Sequence, residues 1–309
     1  MNESAERDPR VVLFTDDPGW HGRMLVRALA ARGLEAVTLS LKSCYLAITG
    51  GVPRLFLPGF NGALPRGAFV RGVPGGSLEE VVLRLDVLHW LAQLGVPVFN
   101  SGRAIERTVD KAMTSFRLAL HGLATPRTWV SEWADRADTF SSLFADQRSI
   151  VLKPLFGSQG EGILRIDSTA ELTAVTPVGG VFYAQEYVAR SGPPFSDWRV
   201  LVIAGRAEFA MERRSTHWIT NRALGADCVS TALTLEMAAL AEAAAAALDI
   251  DYAGVDLMRD VHGRWWIGEV NGVPAWWGLA RATGLDVTAR LVDAFCAKLE
   301  RGCSVGDLA

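Results

Sequence analysis

The chain has 309 residues, 50% of them hydrophobic and 21% charged, which excludes wholesale disorder and gives length for about two domains. Lys plus Arg number 31 against 34 Asp plus Glu, a net charge of −3, without the large basic excess of a dedicated nucleic-acid binder. Ten tryptophans stand against four tyrosines.

Residues 1–10 are polar and charged, lack the apolar segment of a signal peptide, and read as a disordered tail. A strand at 11–14, a helix at 23–31 stopped by Gly33 and a strand at 37–41 predict a parallel α/β start. Residues 49–76 are rich in Gly and Pro and hold short strands at 55–57 and 68–70. Ser77 and Glu80 make a capping box that opens a helix ending at Gly95, followed by a strand at 96–99. One helix is expected over 105–120. Strands follow at 128–130, 150–154, 163–166 and 182–188, with a hairpin turning at 204–206. A long Ala-rich helix spans about 234–248; its apolar run is too short and too charged to cross a bilayer. A second hairpin turns at 260–263, and a last helix covers about 287–300. Cys44, Cys228, Cys296 and Cys303 form no CxxC pair, so zinc and thioredoxin-like readings lack support, and scattered thiols fit a reducing cytoplasm.

Two stretches carry chemistry. The first is Lys153-Pro-Leu-Phe-Gly157-Ser158-Gln159-Gly160-Glu-Gly162 between two strands. Clustered glycines let backbone N–H groups approach an anion, and Lys153 adds a point charge. No Gly-Lys-Ser/Thr follows and a strand succeeds the loop, so it is neither a P-loop nor a dinucleotide fingerprint but a flap over phosphates; a plain mobile hairpin is the alternative. The second is the hairpin carrying Asp256 and Glu269-Val-Asn271. Glu269 and Asn271 share a face, and Asp256 can join them from the neighbouring strand. Two carboxylates and an amide oxygen suit Mg²⁺ bridging to phosphates, and buried without partners they would need a cation. The alternative is a solvated surface hairpin.

The order Lys111, Lys153, glycine-rich flap, Gln185-Glu186-Tyr187-Val188, Asp197-x-Arg199, Asp256, Glu269-x-Asn271 resembles the ATP-grasp superfamily, and within it the RimK-type amino-acid ligases, from about residue 11 to 300. The strand end at Val98-Phe-Asn100 and a helix start at Asp110-Lys111 match as well. The resemblance implies an α/β protein with α+β lobes: a Rossmann-like pre-ATP-grasp domain at 11–105, a central ATP-grasp subdomain with the flap at 106–188, and a C-terminal subdomain with the metal site at 189–309. It implies that Lys111, Lys153, Gly157, Ser158, Gln159, Gly160, Gln185, Glu186, Tyr187, Val188, Asp197 and Asn221 bind ATP. Asp256, Glu269 and Asn271 would hold two Mg²⁺ ions, with Mn²⁺ as a substitute. Arg199 and Arg213 would be catalytic, near the γ-phosphate and the acyl phosphate.

The implied activity is ATP-dependent carboxylate–amine ligation through an acyl phosphate, adding L-glutamate or a similar amino acid to a small-molecule cofactor, a pterin among them, or to a peptide. A non-catalytic ATP-binding regulator and a ligase for another amino acid or peptide are the competing readings. Similar ligases carry Arg-Ser-Asn where this chain has Ile219-Thr220-Asn221, with Arg222 or His217 as substitutes. They carry Asn-Ala-Ser-Pro-Gly where it has Asn271-Gly-Val-Pro274-Ala-Trp276-Trp277, so the acceptor side departs most. Trp276 and Trp277 offer a stacking wall for a planar acceptor, or are partly core. Arg71 is a candidate for a substrate carboxylate or a surface arginine, and His217 a candidate acceptor contact or a loop histidine. Partners are expected to be carboxylate and amino-acid substrates, with no nucleic acid, no membrane, and a homodimer or tetramer in the cytoplasm.

Overall fold

A computed structural model describes residues 7–132, 149–157 and 159–306 of the chain, with side chains as far as residue 301. The chain divides into two compact units, one of residues 1–106, 250–252 and 272–309, the other of 107–249 and 253–271. The first unit begins with β1 (Arg7–Asp8), β2 (Val11–Phe14), α1 (Gly19–Ala30), β3 (Ala36–Leu39), β4 (Tyr45–Thr49), β5 (Val52–Phe56), β6 (Leu64–Pro65), β7 (Ala68–Val70), α2 (Leu78–Gln93), β8 (Val98–Phe99) and α3 (Gly102–Val109), within which the second unit starts. A four-stranded parallel sheet of order β3-β2-β7-β8 is its centre. The central strands are apolar runs with every residue of β2 and β7 buried, as a parallel sheet covered on both faces requires. β1 pairs with β6, so Arg7 and Asp8, inside the expected ten-residue tail, form a strand. The capping box of α2 forms as expected, Ser77 and Glu80 each accepting from the other's backbone N–H.

The second unit holds α4 (Lys111–Leu120), β9 (Thr128–Glu132), β10 (Ile150–Lys153), β11 (Leu164–Ile166), α5 (Thr169–Ala174), β12 (Val181–Glu186), β13 (Phe195–Ile203), β14 (Arg206–Ser215), β15 (Asp227–Ser230), α6 (Leu235–Ala247), β16 (Tyr252–Arg259) and β17 (Trp265–Asn271). The helix expected over 105–120 is broken at Asp110. Its carboxylate accepts from the backbone N–H of Ala112 and Met113 at 2.9 and 3.1 Å, capping a new helix rather than continuing the old one. Two sheets follow, of order β11-β10-β12-β9 and β15-β14-β13-β16-β17. The β13–β14 turn has Ala204 and Gly205 at φ 49° and 78°, the two positive values a tight hairpin needs.

The chain then returns to the first unit with α7 (Trp277–Thr283) and α8 (Val287–Gly306). Each of the two units is therefore built from more than one stretch of chain. The physical reason is α8, whose Leu291, Phe295 and Leu299 are buried, with the Phe295 ring 5.5 Å from Phe69 of β7. Asn100, fully buried, fastens the three pieces of this unit. Its Nδ2 donates to the carbonyls of Tyr252 and Gly272 at 2.8 and 2.6 Å, and its Oδ1 accepts from the Tyr252 N–H at 2.9 Å. Among the described residues no helix is long and apolar enough to cross a membrane.

Candidate active site

In the second unit an open cleft is lined by the end of β10, the β12 end, the segment 218–221 and the β16–β17 pair. Lys153, Gln185, Glu186, Tyr187, Val188, Asp197, Arg213, Asn221, Asp256 and Glu269, all expected on sequence grounds, line this one cleft. Lys111 lies instead in a smaller recess that shares Lys153 and Glu269 with it. Its Nζ donates to the Gly157 carbonyl at 2.8 Å, tying helix α4 to the glycine-rich loop. Ser158 lies outside the described residues.

Lys153 ends strand β10, and its Nζ donates to Gln185 Oε1 on the adjacent β12 at 2.6 Å. Burial pulls the Lys153 ammonium down to about 8, against the pull of the Glu269 and Asp256 charges. Burial also lowers Lys111. Two lysines are thus held near carboxylates with their charge only partly satisfied, a disposition suited to phosphate oxygens.

The loop after Lys153 is shaped by its glycines at two positions. Gly160 has φ +82°, and a Cβ there would stand 3.0 Å from Asn221 Oδ1 and 3.2 Å from Ile219 Cγ2. Gly162 has φ +69°, and a Cβ there would stand 2.9 Å from Pro154. The loop thereby reaches the 219–221 segment across the cleft mouth. Gly157 has no positive φ.

Asp256 on β16 and Glu269 on β17 are directly paired across the ladder. The register shifts between Asp256 and Leu257, so Gly268 is an extra residue whose bulge lets Glu269 face Asp256. A Cβ on Gly268 would stand 3.1 Å from Met258 Cε. Asn271, two residues past Glu269, keeps the same face; its Nδ2 lies 3.4 Å from the Gly254 carbonyl.

The structure supplies a partner for Asp256 that sequence reasoning missed. Arg199 Nε and Nη2 donate to its two oxygens at 2.7 Å each, and Arg213 Nη2 lies 2.9 Å away. Arg213 also forks onto Asp197 at 2.6 Å twice, and the Thr220 hydroxyl donates to Asp197 at 2.7 Å. Asp197, Arg213, Asp256 and Arg199 alternate in sign across β13, β14 and β16, three neighbouring strands. Burial works to raise the Asp256 carboxyl, yet Arg199 and Arg213 hold it down to about 2. Burial likewise opposes the Arg213 charge, and Asp256 and Asp197 more than offset that, raising it. The expectation that this carboxylate needs a cation is met, then, by guanidinium groups. Arg199 does not line the cleft; Arg213 does.

No group of three His, Cys, Asp or Glu converges as a metal cage among the described residues. Asp256, Glu269 and the Asn271 amide oxygen would be the donors, with both Asp256 oxygens also accepting from Arg199. Two carboxylates and an amide fit Mg²⁺, which takes one or two protein carboxylates and completes its shell with substrate phosphates and water.

Residues named for the acceptor side fare differently. Trp276 is fully buried in the first unit and its Nε1 donates to Thr288 at 3.0 Å, so it is a core residue and not a stacking wall. The Trp277 ring is half-buried and carries the Arg281 guanidinium 5.2 Å from its centroid. His217 is exposed, and its Nδ1 accepts from the Ile219 N–H at 3.1 Å. Arg71 lies in the first unit over the Trp276 ring. Two cleft residues had no sequence signal. Trp218 stands edge-on to Tyr187 at 5.7 Å, and Arg190 is largely buried with Nη1 on the Ser196 carbonyl and an Nε that has no partner.

A family model described as a RimK-like ATP-grasp domain matches residues 108–295. Among curated proteins, the chain is 35% identical over 232 residues to a tetrahydromethanopterin:alpha-L-glutamate ligase of Methanococcus maripaludis, covering 73% of this chain and 77% of that one. It is 30% identical over 294 residues to a probable alpha-L-glutamate ligase of Thioalkalivibrio sulfidiphilus, covering 91% and 93%. Among solved structures, the ATP-grasp ligase PsnB complexed with a minimal precursor shares the fold at a TM-score of 0.72 and 20% identity, covering 94% of this chain and 99% of that one. The family expected from the order of motifs is the one these matches give: the chain belongs to the RimK-like ATP-grasp ligases.

Proposed function

We propose that this chain uses ATP to join a carboxylate to the amine of L-glutamate, with ADP and phosphate as co-products. The observation that carries this is the cleft that sets Lys153 against the paired Asp256 and Glu269 under a loop pinned at Gly160. The adenine end is assigned to Gln185–Val188 with Trp218, and the phosphate end to Lys153 and Lys111. Asp256, Glu269 and Asn271 would hold Mg²⁺, two ions by analogy with the expected ligand set, and Mn²⁺ would serve in its place. When bound, the metal neutralises charge on the phosphoryl oxygens.

A carboxylate oxygen of the acid attacks the γ-phosphorus, the bond to the β,γ-bridging oxygen breaks, and ADP leaves. The amine then attacks the acyl carbon, phosphate departs, and the nitrogen loses a proton. Lys153, Lys111 and Arg213 stabilise the oxygens on which negative charge accumulates. Arg199 keeps Asp256 oriented. The Gly160 loop excludes water, which would otherwise hydrolyse the acyl phosphate. The acid is a pterin-type cofactor such as the substrate named for the Methanococcus maripaludis relative, or a peptide.

The test is an ADP-release screen with Mg²⁺, L-glutamate and a panel of pterin and peptide acids, with the product weighed by mass spectrometry. Amide product that Asp256→Asn abolishes is the expected result. ATP binding with no ADP formed across the panel refutes the ligase reading in favour of a non-catalytic nucleotide binder.

A further inference from the structure

The first unit contains a cation whose purpose its own fold does not explain. In the sheet β3-β2-β7-β8 the chain moves from β2 to β3 on one side and later from β7 to β8 on the other. The order reverses between β2 and β7. Open parallel sheets bind ligands at such a point, in the crevice beyond the carboxyl ends of the two strands. Phe14 ends β2 and Val70 ends β7, and the next residue after Val70 is Arg71. Its backbone N–H donates to the Phe14 carbonyl at 2.9 Å, which fixes Arg71 at the crevice.

The surroundings hold its guanidinium in place without neutralising it. The group lies 5.3 Å from the centroid of the Trp276 ring. That ring is fully buried and anchored through Thr288. His21, in the first turn of α1, accepts from the N–H groups of Trp276 and Trp277 at 3.2 Å each and packs edge-on against Trp276 at 4.5 Å. An Nε2 that accepts two N–H bonds carries no proton, and burial, with Arg71 nearby, lowers His21 to about 4, so the imidazole is neutral. The Arg71 Nε is sealed from solvent with no hydrogen-bond partner, and no ion pair with a carboxylate forms among the described residues. Burial lowers the Arg71 pKa, with Tyr252 and Asp17 offering partial relief. An aromatic platform, a neutral histidine and an uncompensated planar cation match a planar two-oxygen anion, which a guanidinium fork receives through parallel N–H donors.

We propose that the crevice at the carboxyl ends of β2 and β7 is a carboxylate subsite, in which Arg71, laid on Trp276 and flanked by His21, holds a carboxylate of the amino-acid substrate that the reaction leaves unchanged. This rests on the ligase reading for the identity of the substrate, not for the existence of the subsite.

The experiment is calorimetric titration of the full chain, without ATP, with L-glutamate, glutarate and the uncharged glutaramide. The expected result is that L-glutamate and glutarate bind, glutaramide does not, and Arg71→Gln weakens both acids about 10- to 100-fold, as loss of a charge-assisted hydrogen bond does. Arg71→Lys keeps the charge without the fork and falls between the two. Thermal melts establish that the variants fold, and ATP titration of Arg71→Gln gives the parent affinity. Equal acid affinity in parent and a folded Arg71→Gln overturns the proposal, as does failure of the parent to bind either acid. A loss confined to ATP affinity overturns it too, since the site would then be one for phosphate. Absence of ligation in the ADP-release screen bears on the reaction alone and leaves this titration to decide the subsite.

Discussion

Replacing Arg213 with methionine keeps most of the side-chain volume and removes the charge that two buried carboxylates share. Arg213 is 3% exposed, and its partners Asp197 and Asp256 are 10% and 8% exposed. After the change Asp256 retains Arg199, but Asp197 keeps only the Thr220 hydroxyl and the more distant charge of Arg190. Breaking one side of a buried ion pair costs about 3–5 kcal/mol, because the other charge stays desolvated without compensation. At about 2–4 °C per kcal/mol for a unit of this size, the melting temperature falls by roughly 10 °C. Adding Asp197→Asn removes the stranded charge and recovers about half of that loss. Scanning calorimetry, with tryptophan fluorescence as a second probe, measures both. A melting temperature for Arg213→Met within about 1 °C of the parent refutes the alternating network as a stabilising element.

Two further predictions concern the cleft. Lys153 titrates near 8 in the folded chain against an ordinary 10.5, so the unfolded chain binds more protons between those values and stability rises with pH across that window. Phosphate binding needs the ammonium, so ATP affinity is flat below pH 7 and falls about tenfold per pH unit well above 8, with proton uptake seen by calorimetry in two buffers; a pH-independent affinity in the parent, or the same slope in Lys153→Met, refutes the assignment. Gly160→Ala forces a left-handed alanine against Asn221 and lowers stability by about 1–2 kcal/mol along with turnover. Gly157→Ala, with no positive φ and its nearest neighbour 3.4 Å away, is tolerated; equal effects of the two on melting temperature and ADP release would count against the flap geometry.

The residues legible from sequence are those whose neighbours in the site are also neighbours in the chain or across one hairpin. Lys153 and the glycine loop are consecutive, and Asp256 meets Glu269 across a single turn, so strand alternation nearly suffices to place them. Even there the Gly268 bulge, which makes the pairing work, leaves no periodic trace. The partners of Asp256 were illegible because they come from β13 and β14, and nothing local says that β13 lies beside β16. The arginines were noticed as phosphate contacts, but their bonds to Asp256 were not. For Trp276 the core alternative is the one its burial fits; the stacking-wall reading leaned on adjacency to Asn271 in sequence, whereas the chain at Gly272 has already returned to the first unit. His21 gave no signal, since its role depends on backbone N–H groups more than 250 residues away. The break at Asp110 was carried only by the resemblance, which reads Asp110-Lys111 as a helix start; apolar periodicity on both sides, taken alone, runs one helix through it.

The charges in and around the cleft differ by chemical type. Arg199 and Arg213 are paired, each forked onto a carboxylate with bonds of 2.6–2.7 Å, in positions fixed by strand register. The ammonium groups of Lys111 and Lys153 reach instead to neutral acceptors, a backbone carbonyl and a glutamine. A rigid fork is suited to holding an acid in one orientation, and a compact charge on a flexible stem is suited to following phosphate oxygens as they move. Exchanging the roles would fail on both counts: a lysine at Arg213 cannot bridge two carboxylates with fixed geometry, and an arginine at Lys153 brings a large planar group into a position that is already buried. Arg71 then stands out by the same logic. It is the rigid type, yet it lacks the forked carboxylate that Arg199 and Arg213 possess, and this mismatch in the first unit is what a substrate carboxylate would resolve.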